Sequence, residues 1–322
     1  MPTALWITGT SMCALRQEEL PVGNNLVEVE TLFSGISRGT ESLVFQGAVP
    51  ETEHERMRGP HQSGDFPHPV KYGYANVGRI TSGPRAGEIA FCLFPHQDRF
   101  AVPDADLTTL PVDLPPARAV LAANMETALN IVWDARAAPG DRIAVIGAGV
   151  VGALCAWLCS RIPGTEVTLV DVNPARRALA ERLAIPFASH PPADCDVAIH
   201  ASASDAGLQS AVDCAGGQAR IVEASWYGDK PVTLSLGGAF HAGRLQIISS
   251  QVGSIPAERA QRWDFRRRLA KALALLASDD ALDALISGTS PFASLDRNYA
   301  KILADPATLC HRISYAPTVE GP

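Results

Sequence analysis

The sequence predicts an α/β protein in which a doubly wound parallel sheet is framed by a β-rich module. Three features carry this reading. One is Arg142-Ile-Ala-Val-Ile-Gly147-Ala-Gly149-Val-Val-Gly152, an apolar strand entering a Gly-x-Gly-x-x-Gly turn and then a helical run to Ile162. Another is the alternation of strand and helix patterns that follows it. The third is the texture of residues 1–117, where short β-like runs are broken by Gly, Pro and Ser.

In chain order, Leu26-Val-Glu-Val-Glu and Glu88-Ile-Ala-Phe-Cys-Leu-Phe are the clearest β runs of the first part. Pro115-Pro116 then precedes an Ala-rich helical pattern, Ala117 to Ala135, which leads into the strand at Arg142. Val167–Asp171, Ala175–Leu183, Asp196–His200, Ala206–Cys214, Ala219–Trp226 and Leu245–Gln251 continue the βαβ rhythm. Beyond Gly253 come a helical run from Glu258 to Ala277, the pair Leu285-Ile286, a helix near Leu295–Leu303 and a strand around His311–Tyr315. The expected division is 118–253 for the parallel sheet, with 1–117 and 254–322 forming the second domain. A chain of 322 residues suits two domains.

The glycine spacing states what the sheet holds. Gly147 permits a tight turn, Gly149 lets backbone approach a pyrophosphate, and Gly152 lets helix pack on strand. The backbone of Gly147, Ala148, Gly149, Val150, Val151 and Gly152 then offers helix N-terminal N–H groups to phosphates. The next strand, Glu166-Val-Thr-Leu-Val-Asp171, ends in a carboxylate nineteen residues after Gly152, where a ribose-binding acid belongs. Together they predict a dinucleotide site. The Asp171 charge repels a 2′-phosphate, so NAD(H) is favoured over NADP(H). Arg176 and Arg177 weaken that preference if either turns back toward the ribose.

Composition narrows the class. Residues are 47% hydrophobic and 19% charged, with a net charge of −7, giving no general attraction to nucleic acid or anionic membrane. Arg266-Arg267-Arg268, the only dense basic run, reads as a solvated helix face. The start, Met1-Pro-Thr-Ala-Leu-Trp-Ile, lacks a basic n-region and a long apolar run, so neither a signal peptide nor a membrane span is expected. The seven cysteines are scattered, without Cys-x-x-Cys, as in a reduced cytoplasmic protein.

The order of parts, with the glycine motif near position 150, resembles the medium-chain dehydrogenase/reductase superfamily. The resemblance rests on Phe33-Ser-Gly-Ile-Ser37-Arg38-Gly-Thr40-Glu41, Tyr72-Gly-Tyr74-Ala75-Asn-Val-Gly78, Pro95-His96 followed by Phe100-Ala-Val-Pro, and the Gly147 motif. It implies a GroES-like β-rich catalytic domain beside a Rossmann domain. The Gly-Ile-Ser-x-Gly-Thr-Glu segment looks most like the branch containing bacteriochlorophyllide a dehydrogenase.

Departures from that family shape the expected chemistry. Its zinc-dependent members place Cys where this chain has Ser37 and His-Glu where it has Tyr74-Ala75, with a third ligand at Glu126. A catalytic zinc wants three N, S or O ligands, and Ser and Tyr hydroxyls bind poorly at neutral pH. Cys92 is the only cysteine between Gly78 and Pro115, so the four-cysteine lobe is missing too. The expectation is no catalytic and no structural zinc. Tyr74 is the first candidate proton donor, or else a core tyrosine. Glu126 holds that Tyr, acts as base, pairs with Lys71, or is a buried structural acid. Ser37 and Thr40 bond substrate hydroxyls or serve as turn residues. By the resemblance, Arg38 contacts cofactor phosphates and His96 faces the cleft, the alternatives being a surface Arg for Arg38 and a partially exposed or core histidine for His96. His200 ends a strand at the carboxyl edge, bordering a ribose. The activity so implied is interconversion of a secondary alcohol and a ketone on a small molecule. A zinc-free enone or quinone reductase and a non-catalytic dinucleotide-binding protein are the alternatives. Leu245–Gln251, at the far end of the sheet, pairs across a two-fold axis in the resembling family, which implies a homodimer.

Overall fold

A computed structural model describes residues 1–315. Its contacts divide the chain into one unit of residues 1–123 with the segment from Leu273, and another of Asn124–Ala272.

The first unit is built on the strand Leu26–Ser37, whose period-2 pattern buries Val27, Val29 and Thr31 and exposes Glu28 and Glu30. It is the hub of a seven-stranded sheet. Cys310–Ser314 pairs antiparallel along its second half, Asn76–Ile80 along its other edge and Arg99–Pro103 along its first half. Ile286–Pro291, Ile89–Cys92 and Thr108–Thr109 complete the sheet. A smaller sheet of four strands runs Met12–Gln17, Thr3–Gly9, Val70–Lys71, Ser63–Gly64. Val29, Ile80, Ala90, Phe100, Val102 and Leu107 fill the core between strands. At Ser37 the long strand turns directly into the helix Arg38–Gln46, which stops at Gly47 with φ +70°. The resembling segment around Ser37 therefore sits on a strand-to-helix corner.

The second unit is a six-stranded, wholly parallel sheet. Its strands, in spatial order, are Phe187–Ala188, Glu166–Val170, Arg142–Ile146, Cys195–His200, Ala215–Glu223 and Gln246–Ser249. In chain order this is 3-2-1-4-5-6, which places the topological switch between the Arg142 and Cys195 strands. Ile143, Ala144, Val145, Ala198 and Ile199 are fully buried, as strands covered on both faces must be. Helices Val150–Cys159, Arg177–Arg182 and Asp205–Cys214 are its crossovers.

Several expectations change in detail. The pattern over 117–135 forms two helices, Pro116–Ala119 and Ala122–Ala135. The run from Glu258 to Ala277 is likewise broken. Helix Phe265–Ala277 starts afresh because Asp264 Oδ1 accepts the Arg267 N–H at 2.7 Å, a side-chain cap. That helix also moves the edge of the parallel-sheet unit past 253, because Arg268 is tied into the unit. Arg268 is 2% exposed, so the basic run is a solvated face only at Arg266 and Arg267.

Candidate active site

The glycine turn has the geometry its spacing implies. Gly147 has φ +108°, and a Cβ there would meet the Ala201 carbonyl at 2.8 Å. A Cβ on Gly152 would overlap the Gly147 carbonyl oxygen. Gly149 is the N-cap of helix Val150–Cys159, has no side-chain cap bond, and a Cβ on it would meet nothing within 4 Å. Helix and strand are thus pressed together while the outer face of the turn stays open, with first-turn N–H groups free for an anion. Asp171 follows the Glu166–Val170 strand. Its Oδ2 accepts the Ala148 N–H at 2.7 Å and its Oδ1 the Asn173 N–H at 2.8 Å. The Gly147 N–H donates to the Val170 carbonyl at 2.8 Å and the Ala148 N–H to Asp171, so the expected phosphate donors are corrected to the N–H groups of the helix start, Val150 to Gly152, and that arrangement fits a dinucleotide. Arg177 lies over the Phe187 ring, 4.9 Å from its centroid, on the neighbouring strand.

In the first unit, Tyr74, Ser37 and Thr40 come together. The Tyr74 hydroxyl bonds both Ser37 and Thr40. Burial, reinforced by the nearby Glu41 charge, pushes the phenol up to about 12 against the pull of those two bonds. Beneath them lies a residue not singled out from sequence. Glu41 is fully buried; its Oε1 accepts the Ser37 N–H at 2.7 Å, and its Oε2 accepts Tyr299 O–H at 2.7 Å and bonds His96 Nε2 at 2.9 Å. His96 Nδ1 is 2.7 Å from the Ser34 hydroxyl, which bonds Tyr315 at 2.9 Å. His96 is 1% exposed, so it is a core histidine of this network. The signal that could have found Glu41 is its place in the first helical turn, four residues after the N-cap Ser37, from where its carboxylate reaches back to the Ser37 N–H. Ser37 itself makes no side-chain cap bond, so this is not a full capping box.

Other predicted residues stand elsewhere. Arg38 Nε donates to the Leu303 carbonyl at 3.1 Å, in the last turn of helix Leu295–Ala304, where carbonyls lack helical partners. Glu126 lies in the Asn124–Ala272 unit, 4% exposed, and accepts Arg268 Nε at 3.0 Å. The same guanidinium donates to Asn130 Oδ1 at 2.5 Å and to the Val252 carbonyl at 2.6 Å. Burial raises the Glu126 carboxyl above the usual carboxylate range, and Arg268 opposes the rise. Pairing of Glu126 with Lys71 is thereby corrected: Lys71 Nζ donates to Glu18 Oε2 at 2.6 Å and to Gln97 Oε1 at 2.9 Å. No register in the sequence foreshadows Arg268 as the partner, because the two residues lie on helices far apart in the chain. His200 is buried at the end of its strand, bonded to Glu223 and Ser202. Among the described residues, no three His, Cys, Asp or Glu side chains gather as a metal-ligating group, and no helix is long and apolar enough to cross a membrane.

Comparison with known proteins adds to this. No protein-family profile matches the chain. It is 28% identical to L-galactonate-5-dehydrogenase of Escherichia coli K12 over 232 residues, 63% of this chain, and the match spans 66% of that enzyme's length. L-idonate 5-dehydrogenase from Escherichia coli K-12 superposes with a TM-score of 0.80 at 12% identity, covering 98% of both chains. 2R,3R-butanediol dehydrogenase from Bacillus subtilis gives 0.78 at 15% identity, covering 98% of this chain and 100% of that one. A short-chain alcohol dehydrogenase from Escherichia coli CFT073, complexed with NADH, gives 0.77 at 16% identity, covering 98% and 99%. The chain shares the fold of these dehydrogenases, a GroES-like β-rich part with a Rossmann part.

Proposed function

We propose that this protein is a nicotinamide dinucleotide-dependent oxidoreductase of the medium-chain, alcohol dehydrogenase-like kind, interconverting a secondary alcohol and a ketone on a small molecule. The observation that carries the reading is the open glycine turn with Asp171 bonded into it. Asp171 supports NAD(H) over NADP(H), since its charge disfavours a 2′-phosphate. The sequence likeness to a dehydrogenase of a sugar acid supports a polar, hydroxylated substrate. When bound, the dinucleotide supplies the hydride chemistry.

The protein's part is orientation and proton handling. Tyr74, protonated throughout the neutral range, donates to a ketone oxygen and yields its proton to the alkoxide, which is more basic still. Ser37 and Thr40 fix the phenol, and Glu41 ties their corner to His96 and Tyr299. Zinc independence is part of the proposal. A hydroxyl pair whose phenol stays protonated is a poor donor set for Zn²⁺, and Glu126 is occupied by Arg268. These departures, with the Ser37-to-Glu41 segment, support the zinc-free branch that contains bacteriochlorophyllide a dehydrogenase. A cytoplasmic homodimer completes the reading.

The test is cofactor oxidation with NADH against a panel of ketones, hydroxyketones and enones. Turnover of ketones supports the proposal; turnover of enones alone, or of none, contradicts it.

A further inference from the structure

The carboxyl edge of the parallel sheet holds a second constellation that dinucleotide binding leaves unexplained. His200 ends the Cys195–His200 strand and is fully buried, while Ser202, just beyond the strand, is exposed. His200 Nε2 lies 2.6 Å from the Ser202 hydroxyl. On its other side, Nδ1 lies 2.7 Å from Glu223 Oε2, at the end of the neighbouring Ala215–Glu223 strand. Glu223 is itself held: Oε1 accepts the Ser225 N–H at 2.7 Å and Oε2 the Tyr227 hydroxyl at 3.0 Å. Burial alone would raise this carboxyl, but its bond to His200 and the Ser225 contacts outweigh that and keep it below the ordinary value.

This is an exposed nucleophile backed by a base, and a base oriented by an ionised acid. With Nδ1–H given to Glu223, the neutral ring presents the Nε2 lone pair to the Ser202 O–H, a tautomer assigned from the network. The helix Asp205–Cys214 opens three residues after Ser202. Ser204 takes the Gly207 N–H at 3.1 Å, and the remaining first-turn N–H groups have no partner within the helix. They are the donors available to an oxyanion.

We propose that Ser202, His200 and Glu223 form a nucleophilic centre for acyl transfer, acting on small carboxylic esters with good leaving groups. Ser202 Oγ attacks the acyl carbon as its proton passes to His200 Nε2. The bond to the leaving oxygen breaks, and His200 returns that proton to the alkoxide. Water then attacks the acyl-Ser202 ester, giving its proton to His200; the acid departs and Ser202 recovers its proton. Of the groups that react, Glu223 meets the imidazole and not Ser202 or the ester, so it is a positioning residue. The centre abuts the phosphate turn, since a Cβ on Gly147 would meet the Ser202 N at 2.9 Å. A bound dinucleotide therefore screens Ser202. Ester hydrolysis belongs to the dinucleotide-free protein.

The test uses the full chain without added dinucleotide. p-Nitrophenyl acetate is the substrate probe, and a fluorophosphonate is the label, located by peptide mass mapping. The expected result is one adduct, on Ser202, with hydrolysis falling about 10²–10⁴-fold in Glu223→Gln and in Ser202→Ala. NADH should protect against both reagents. No label on Ser202, or hydrolysis undiminished in Ser202→Ala, overturns the proposal. So does full labelling of a folded Glu223→Gln protein. Should that variant fail to fold, the exposed Ser202→Ala change decides alone. NADH titration by fluorescence on the same samples keeps the two readings apart. Wild-type protein that labels yet binds no NADH sinks the oxidoreductase and leaves the acyl-transfer centre standing.

Discussion

Tyr74, Glu41 and Glu126 show three different fates for a polar side chain removed from water. Tyr74 is kept protonated by burial and the Glu41 charge, and is held by Ser37 and Thr40. Tyr74→Phe should cut turnover about 10²–10⁴-fold while leaving NADH affinity unchanged, read by steady-state kinetics and fluorescence titration. Unchanged turnover would remove Tyr74 as proton donor. Glu41 acts structurally, satisfying Ser37, His96 and Tyr299 together. Glu41→Ala leaves them unpaired in a dry site and should cost on the order of 3–5 kcal/mol in denaturant unfolding. Glu126 gives a pH signature. Its folded-state pKa is raised, so the folded form holds a proton longer than the unfolded chain does. Its contribution to stability is therefore fully present below the unfolded value of about 4.3 and is lost as pH rises toward the folded value. Glu126→Gln should flatten that part of the stability curve; an unchanged slope would contradict the assignment.

At the scale of elements, the glycine turn was legible because its chemistry is local. Strand, turn and helix follow one another in sequence, and each glycine answers a nearby backbone clash. Gly152→Ala drives a methyl into the Gly147 carbonyl, so destabilisation of about 1–3 kcal/mol with loss of NADH binding is expected by thermal melting and titration. A stable variant that still binds NADH would contradict that packing. The long apolar strands were legible for the same reason. The Phe187–Ala188 strand was not, since two residues carry no periodicity, and the restart at Asp264 looked like one continuous helix. The candidate site was half legible. Ser37, Thr40 and Tyr74 came from matched motif positions, and the structure joins them. Tyr299 and Ser34 were missed because their contacts join elements distant in sequence, as do the Glu41 bonds to His96 and Tyr299, and nothing in the spacing of Glu126 and Arg268 announces their pairing.

For the molecule as a whole, the Gln246–Ser249 strand lies at the rim of the parallel sheet and, among the described residues, is paired on one side only. Its open row of N–H and C=O groups suits pairing with a second copy across a two-fold axis. Sedimentation at micromolar concentration should show a dimer, and a single monomeric species would contradict it. Elemental analysis should find no stoichiometric zinc, with activity intact in a chelator; one zinc per chain would overturn the metal-free mechanism. All of this rests on the claim that the Asn124–Ala272 unit binds a dinucleotide through its glycine turn and Asp171. The most direct test is calorimetric titration of the wild-type protein and Asp171→Ala with NADH and NADPH. The account predicts one NADH per chain, bound more tightly than NADPH, with the gap narrowed in Asp171→Ala. Binding of neither, or tighter binding of NADPH by the wild type, would contradict it.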